Sequence, residues 1–207
     1  MTIRLHDFTL SGHAHRARLF LSLLGLSHDL VPVDLRQGEH KKPAFLAKNA
    51  FGQVPVLEDG EVTVADSNAI LVYLALRYDS QRQWWPEAPA QAAQVQRWLS
   101  AAAGPLANGT ARARWITLTG GTPDAQTLDT AKRLLDTMET SLTARRFLAS
   151  DGHPTLADVA MYSYTARAPE GGILLDAYPQ VRRWLAEIEA LPRFVPMVAS
   201  QPFAKQA

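Results

Sequence analysis

Three short polar clusters in this chain carry residue types that could do chemistry. Ser11 follows the strand-like TIRLHDF and precedes a helix-period run, so its hydroxyl falls at a helix start. There a hydroxyl can donate to an anion, while the unpaired N–H groups of the first turn add partial positive charge. A ligand thiol at such a place ionises more easily. A free thiol has a pKa of about 8.5, and lowering it by ~2 units corresponds to ~2.7 kcal/mol. The same serine suits plain helix capping equally well. Gln53-Val54-Pro55 stands before a strand. With a cis Val54–Pro55 bond, the Val54 backbone groups can turn outward and pair with an extended peptide; with a trans bond the proline is a simple strand entry. Asp66-Ser67 opens another helix. The serine and the helix start suit a carboxylate and the aspartate suits an amine, or the pair only caps.

Other residue types narrow the choice. There is no cysteine, which excludes disulfides, thiolate metal sites, CxxC redox pairs and a cysteine nucleophile. Any reactive thiol must arrive on a ligand. Five of the six histidines lie within the first 40 residues (His6, His13, His15, His28, His40), but without HExxH or His-acid spacing, so no metal site is expected. Arg112, Arg114 and Trp115 are candidates for the wall of a hydrophobic substrate pocket.

Bulk properties exclude several function classes. The 207 residues are 47% hydrophobic and 20% charged, the composition of a globular protein rather than a disordered chain or a rod. Net charge is +1, and residues 1–79 carry 8 basic and 9 acidic side chains, so neither half has the basic footprint of a nucleic-acid binder. No apolar run is long enough for a membrane span and no basic amphipathic stretch suggests a membrane surface. MTIRLHDFTL lacks a basic region followed by an apolar one, so the cytoplasm is the expected location.

The elements that must position the three clusters are legible in outline. Ile3 and Leu5 mark a first strand; Ala17, Phe20, Leu21 and Leu24 then recur at helical spacing, with Gly25 placed to stop the helix. DLVPVDL at 29–35 reads as a second strand, parallel to the first. HKKPAFLAKN is a short helix candidate, and Asp59-Gly60 marks a hairpin between two short strands. Asp66 or Ser67 caps a helix to about Tyr78. Residues 1–79 thus read β-α-β-α-β-β-α, a small mixed sheet with helices on both faces. The proline-broken SQRQWWPEAPA at 80–90 reads as a linker, and residues 91–207 read as helical. Within them, Thr122 as N-cap with Pro123 at the first helical position marks one helix, Thr155-Leu-Ala-Asp158 forms a capping box, and Tyr178-Pro179 starts the last long helix.

The order and spacing of these pieces resemble the glutathione S-transferase family. LSGHAHRARLFLSLLGL, VDLRQGEHKKPAFLAKNAFGQVPVLEDG and VADSNAILVYLALRYD resemble its N-terminal half. TLADVAMY resembles its sixth-helix capping motif, and YPQVRRWLAEIEALPRFVPM its C-terminal helices. The resemblance implies an α/β plus all-α protein: a thioredoxin-like glutathione-binding domain over 1–79, and an all-helical domain over 91–207 with the hydrophobic second-substrate site. It implies a homodimer using glutathione as co-substrate, with no metal.

Carried over residue by residue, Ser11 matches the catalytic hydroxyl of the serine-type classes, with Thr9 as rival. Val54 precedes the family's cis-proline, Pro55, and Gln53 is its neighbour. Asp66 and Ser67 match the pair on the γ-glutamyl end. His40 and Lys41 match positions that reach the glycyl carboxylate in theta-like and many bacterial members. Where many bacterial relatives read Ser-Gly-Asn, this chain has His13, and Asn49-Ala50-Phe51 departs from the usual Asn-Pro. The implied activity is conjugation of the glutathione thiolate to small, mostly apolar electrophiles, of the kind seen in detoxification. A glutathione-dependent peroxidase or disulfide reductase, and a non-catalytic ligand-carrying or interaction protein, are the alternatives.

Overall fold

The computed structural model describes residues 2–200. They form two compact units, one of residues up to 82 with Pro192–Val198, the other of residues 83–191 with 199 and 200.

The first unit runs β1 (Ile3–Asp7), α1 (Gly12–Leu23), β2 (His28–Pro32), α2 (Pro43–Leu46), β3 (Val56–Asp59), β4 (Val62–Ala65) and α3 (Ser67–Tyr78). The sheet order is β2-β1-β3-β4, with β1 parallel to β2 and the other pairs antiparallel. This is a thioredoxin-like arrangement with a mixed four-stranded sheet. Side chains alternate across a strand, so the sheet has two chemically different faces. Leu5 and Leu57 are fully buried on the face that α1 and α3 cover. Their neighbours His6 and Val56 turn the other way, where His6 meets the Phe45 ring edge-on and Val33, Val54 and Val56 complete a second cluster.

Local chemistry explains the element ends. Gly25, at φ +69°, closes α1 with a Schellman motif: Leu26 N–H bonds Leu21 C=O and Gly25 N–H bonds Ser22 C=O. β2 is shorter than the 29–35 expected. The Asp34 carboxylate accepts the N–H groups of Arg36 and Gln37, which turns the chain out of the sheet. The hairpin loop is Gly60-Glu61, one residue later than expected; Asp59 still pairs with Val62, and only Gly60 has positive φ, the type II′ pattern. A late segment completes the unit. The His15 ring bonds the Val195 carbonyl at 2.9 Å, and the Ser22 hydroxyl donates to Arg193 C=O at 2.6 Å. A Cβ at Gly25 would fall 2.4 Å from the Arg193 guanidinium.

The second unit is helical: α4 (Pro89–Ala101), a π-helical segment (Ala102–Ala111), α5 (Arg112–Leu118), α6 (Ala125–Ala144), α7 (Leu156–Ala166) and α8 (Pro179–Glu189). α4 starts at Pro89, inside the stretch expected to be linker, because proline suits the first helical position. Pro105 has no N–H to give the turn before it, and the wide π turns pass through that break without ending the helix. Gly109 allows close approach there: a Cβ would lie 2.8 Å from the Ala131 backbone on α6. α6 is capped by Asp124, not by Thr122. The Asp124 carboxylate accepts Thr127 N–H at 2.7 Å, which leaves Pro123 outside the helix. Among the described residues, no helix is long and apolar enough to cross a membrane.

α7 is almost wholly buried, and its polar centre is Asp158. Thr155 and Asp158 form a reciprocal capping box. The Asp158 carboxylate also accepts Leu148 N–H and the Trp184 indole N–H, both at 2.9 Å. Burial pushes its pKa up, and the hydrogen bonds from Thr155, Leu148 and Trp184 oppose that. Asp158→Ala orphans all of these donors in the core. Urea denaturation is expected to show a loss of roughly 3 kcal/mol or more. A loss of only about 0.5 kcal/mol, the scale of a surface substitution, would overturn this account.

Candidate functional site

The first unit holds a cavity of about 810 Å³, and it gathers most of the residues singled out by sequence. Ser11, His40, Gln53, Val54, Pro55, Asp66 and Ser67 all line it. Thr9 and Lys41 do not. Thr9 is exposed, with its carbonyl held by Arg18.

Two helix starts and one open strand end make the walls. Ser11 is the N-cap of α1, and its Oγ accepts Ala14 N–H at 3.2 Å. Among the described residues nothing accepts the hydroxyl's own proton, so Ser11 caps the helix and keeps a donor for the cavity. Asp66 is the N-cap of α3 and sits at φ +76°, where a non-glycine residue is strained by about 1–3 kcal/mol. One carboxylate oxygen accepts the N–H groups of Asn68 and Ala69 at 2.9 Å; the side chain is otherwise exposed. Ser67 beside it is buried, and its Oγ accepts a hydrogen bond from Arg16 at 2.8 Å. The Val54–Pro55 bond is cis. Neither the N–H nor the C=O of Val54 has a protein partner among the described residues, so both are available to an extended ligand.

Residues that sequence reasoning did not place in the site shape its remaining wall. Buried Asn49 donates to Gln53 C=O at 2.8 Å and accepts Phe51 N–H at 3.0 Å, which fixes the 49–53 loop. Gly52, at φ +59°, lets that loop lie against the turn carrying His40: a Cβ there would be 2.9 Å from the His40 carbonyl. His40 Nδ1 is buried without a partner. Lys48 also lines the cavity and is ion-paired with Glu58. Lys48, aided by His6, holds the Glu58 carboxyl down to about 2 against the opposing effect of burial. In the sequence, the glycine after Asn-Ala-Phe marks a turn but does not say which neighbouring side chains line the wall.

His13 lines the same cavity. Burial first, and then the Arg16 guanidinium, push its pKa down to about 3, so the ring is neutral at physiological pH. The proposed second-substrate residues lie in the other unit and are not assembled into one pocket. Arg112 faces Asp124 at 3.8 Å in a polar groove, and Trp115 is 56% exposed. Arg114 is not a wall residue: it is buried in an ion pair with Glu170 at 2.7 Å. No cluster of metal-ligating side chains is found among the described residues.

Comparison with known proteins gives a consistent assignment. Residues 1–76 match the family model for the glutathione S-transferase N-terminal domain, and residues 82–187 match that for its C-terminal domain. The chain is 36% identical to glutathione S-transferase 3 of Zea mays, across 97% of this chain and 95% of that protein. A glutathione S-transferase structure from Pseudomonas fluorescens matches with a TM-score of 0.89 and 33% identity, covering 96% of this chain and 100% of that one. A glutathione transferase homolog from Drosophila mojavensis, solved with bound glutathione, matches at a TM-score of 0.83 and 26% identity, over 92% of this chain and 89% of its own. Two family models end to end, and a relative matched over nearly its whole length, show that this chain belongs to the glutathione S-transferase family.

Proposed function

We propose that the protein is a glutathione transferase, a cytoplasmic homodimer that conjugates glutathione to small, mostly apolar electrophiles. The observation that carries this reading is the convergence of three complementary features on one cavity. Ser11 keeps an unspent hydroxyl proton at a helix start, Val54 offers unpaired backbone groups, and Asp66-Ser67 stand at a second helix start. Glutathione presents the matching chemistry in order. Its thiol meets Ser11, its cysteinyl backbone pairs with Val54 as an added strand, its α-carboxylate meets Ser67 and the start of α3, and its α-ammonium meets Asp66. His40, with its unpartnered ring nitrogen, faces the glycyl end.

The chemistry needs the thiolate. Ser11 O–H donates to the sulfur anion and the first turn of α1 adds partial positive charge, so the thiol proton leaves to solvent near neutral pH. The sulfur then uses its electron pair to form the carbon–sulfur bond, and the leaving group departs with the pair from the bond it breaks. The protein's part is to make the anion stable and to aim it.

In Ser11→Ala, turnover of a chloro-aromatic acceptor is expected to fall roughly 10²-fold, while calorimetry still detects glutathione binding. The rising limb of kcat/KM against pH, near 6.5 if the thiol pKa is lowered by ~2 units, should move to about 8.5. Unchanged turnover would move the role to Thr9 or to backbone groups. Asp66→Ala removes the ammonium's partner, and the KM for glutathione should rise about tenfold, equivalent to ~1.4 kcal/mol, with kcat changed less. A parallel assay with a hydroperoxide separates conjugation from reduction: the transferase reading requires the chloro-aromatic acceptor to be the better substrate.

A further inference from the structure

Ser11 can stabilise a thiolate only while its hydroxyl stays where the sulfur arrives, and Ser11 belongs to a turn rather than to the middle of an element. That turn joins the end of β1 to the start of α1 and is closed by a hydrogen bond from Ser11 N–H to Phe8 C=O at 2.8 Å. One side chain grips it at two points. Arg18, on the second turn of α1, donates from Nη1 to Asp7 Oδ2 at 3.2 Å and from Nη2 to Thr9 C=O at 3.1 Å. Helical side chains lean toward the helix start, so an arginine at this depth reaches back to the strand before the helix. Its guanidinium is planar and forked, and two acceptors fix its orientation as one cannot. The ion pair with Asp7 is largely shielded from water, the two side chains being 14% and 5% exposed. Burial pushes the Asp7 carboxyl up, opposed in turn by Arg18, the Phe8 N–H and His28. Asp7 C=O meanwhile accepts Val33 N–H at 2.8 Å, which anchors this strand end to the chain after β2.

We propose that Arg18 is a positioning residue for Ser11: it ties the end of β1, the middle of the turn and α1 into one rigid piece, and so holds the Ser11 hydroxyl on the glutathione sulfur. This rests on the glutathione reading above and deepens it. Arg18 does not line the cavity, so its effect passes through the backbone and not through contact with substrate. Ser11 Oγ caps α1 through Ala14 N–H, and its direction therefore follows the helix. What Arg18 adds is the placement of that helix start against the strand end. A lysine at this position keeps a positive charge beside Asp7, but it is a compact point charge on a flexible stem and lacks the planar fork that spans both acceptors.

The test is the ultraviolet thiolate band of bound glutathione, titrated with pH on the full-length wild type, Arg18→Lys, Ser11→Ala and the pair combined. A further variant, Asp7→Asn with Arg18→Met, removes the buried charge together with its partner, so the turn is loosened without leaving an unpaired carboxylate. Arg18→Lys is expected to raise the bound thiol's pKa by about half a unit, roughly a threefold loss of thiolate on the acid side, and the charge-free pair by about one unit, a tenfold loss. Circular dichroism should show both folded, and the KM for glutathione should change less than about threefold. In the Ser11→Ala background Arg18→Lys should add no further shift, because residues that act through one group are not additive. An unmoved thiol pKa in both Arg18 variants overturns the proposal. So does an equal shift with and without the Ser11 hydroxyl, which would make Arg18 structural only, or a rise in KM alone. If Ser11→Ala moves the band and the Arg18 variants do not, this proposal fails and the glutathione reading stands. If the bound thiol of the wild type titrates like the free one, both fail.

Discussion

A helix must begin somewhere, and its first turn leaves backbone N–H groups that nothing inside the helix can satisfy. In the first unit two such beginnings, those of α1 and α3, are placed on one cavity. Each is capped by a short polar side chain that still has hydrogen-bonding capacity left. The sheet follows from this need. β1 delivers Ser11 from its carboxyl end, and β4 delivers Asp66 one residue after it finishes. The cavity is therefore rich in donors and partial positive charge although the chain carries a net charge of only +1. Anion binding here comes from backbone direction more than from an excess of basic residues.

What the sequence disclosed and what it concealed divide along the range of the interaction concerned. The α1 start and stop, the Asp66 cap and the Thr155–Asp158 box depend on residues within a few positions of one another, and each stands where its pattern places it. The α6 start was misplaced by two residues because Thr122 and Asp124 are both competent caps, and only the backbone path selects Asp124. Pro105 signals a break in an apolar run, but not that wide turns would carry the helix past it. Lys48 and Asn49 were invisible as wall residues, since they reach the cavity through loop geometry set by Gly52 and His40. His13 meets Ser67, 54 positions away, which no local pattern announces. Arg114 shows the reverse error: its place beside Trp115 suggested a pocket wall, and Glu170, 56 positions away, holds it inside the core.

The buried polar groups share one logic. Asp158 in the helical unit and the His13–Arg16–Ser67 group in the other are each bonded to partners from more than one element. Such networks cost desolvation energy and return it only when every member is in place. They therefore select one arrangement of the surrounding chain with more discrimination than apolar contacts of equal area. In the helical unit that arrangement fixes α7 against α8 through Trp184, and in the other it fixes the α1 and α3 starts that define the cavity.

The thioredoxin-like unit is not a continuous stretch of chain. Its first helix is held by carbonyls of Arg193 and Val195, which lie 171 and 180 positions further along the chain than the side chains that bind them. A ribosome makes the amino end first, so the strands and helices of residues 2–82 emerge long before the segment that finishes them. Until then the His15 ring lacks the acceptor it has in the finished protein. The unit that holds the cavity is begun before α4 to α8 are made and completed after them, which ties its final form to their successful synthesis.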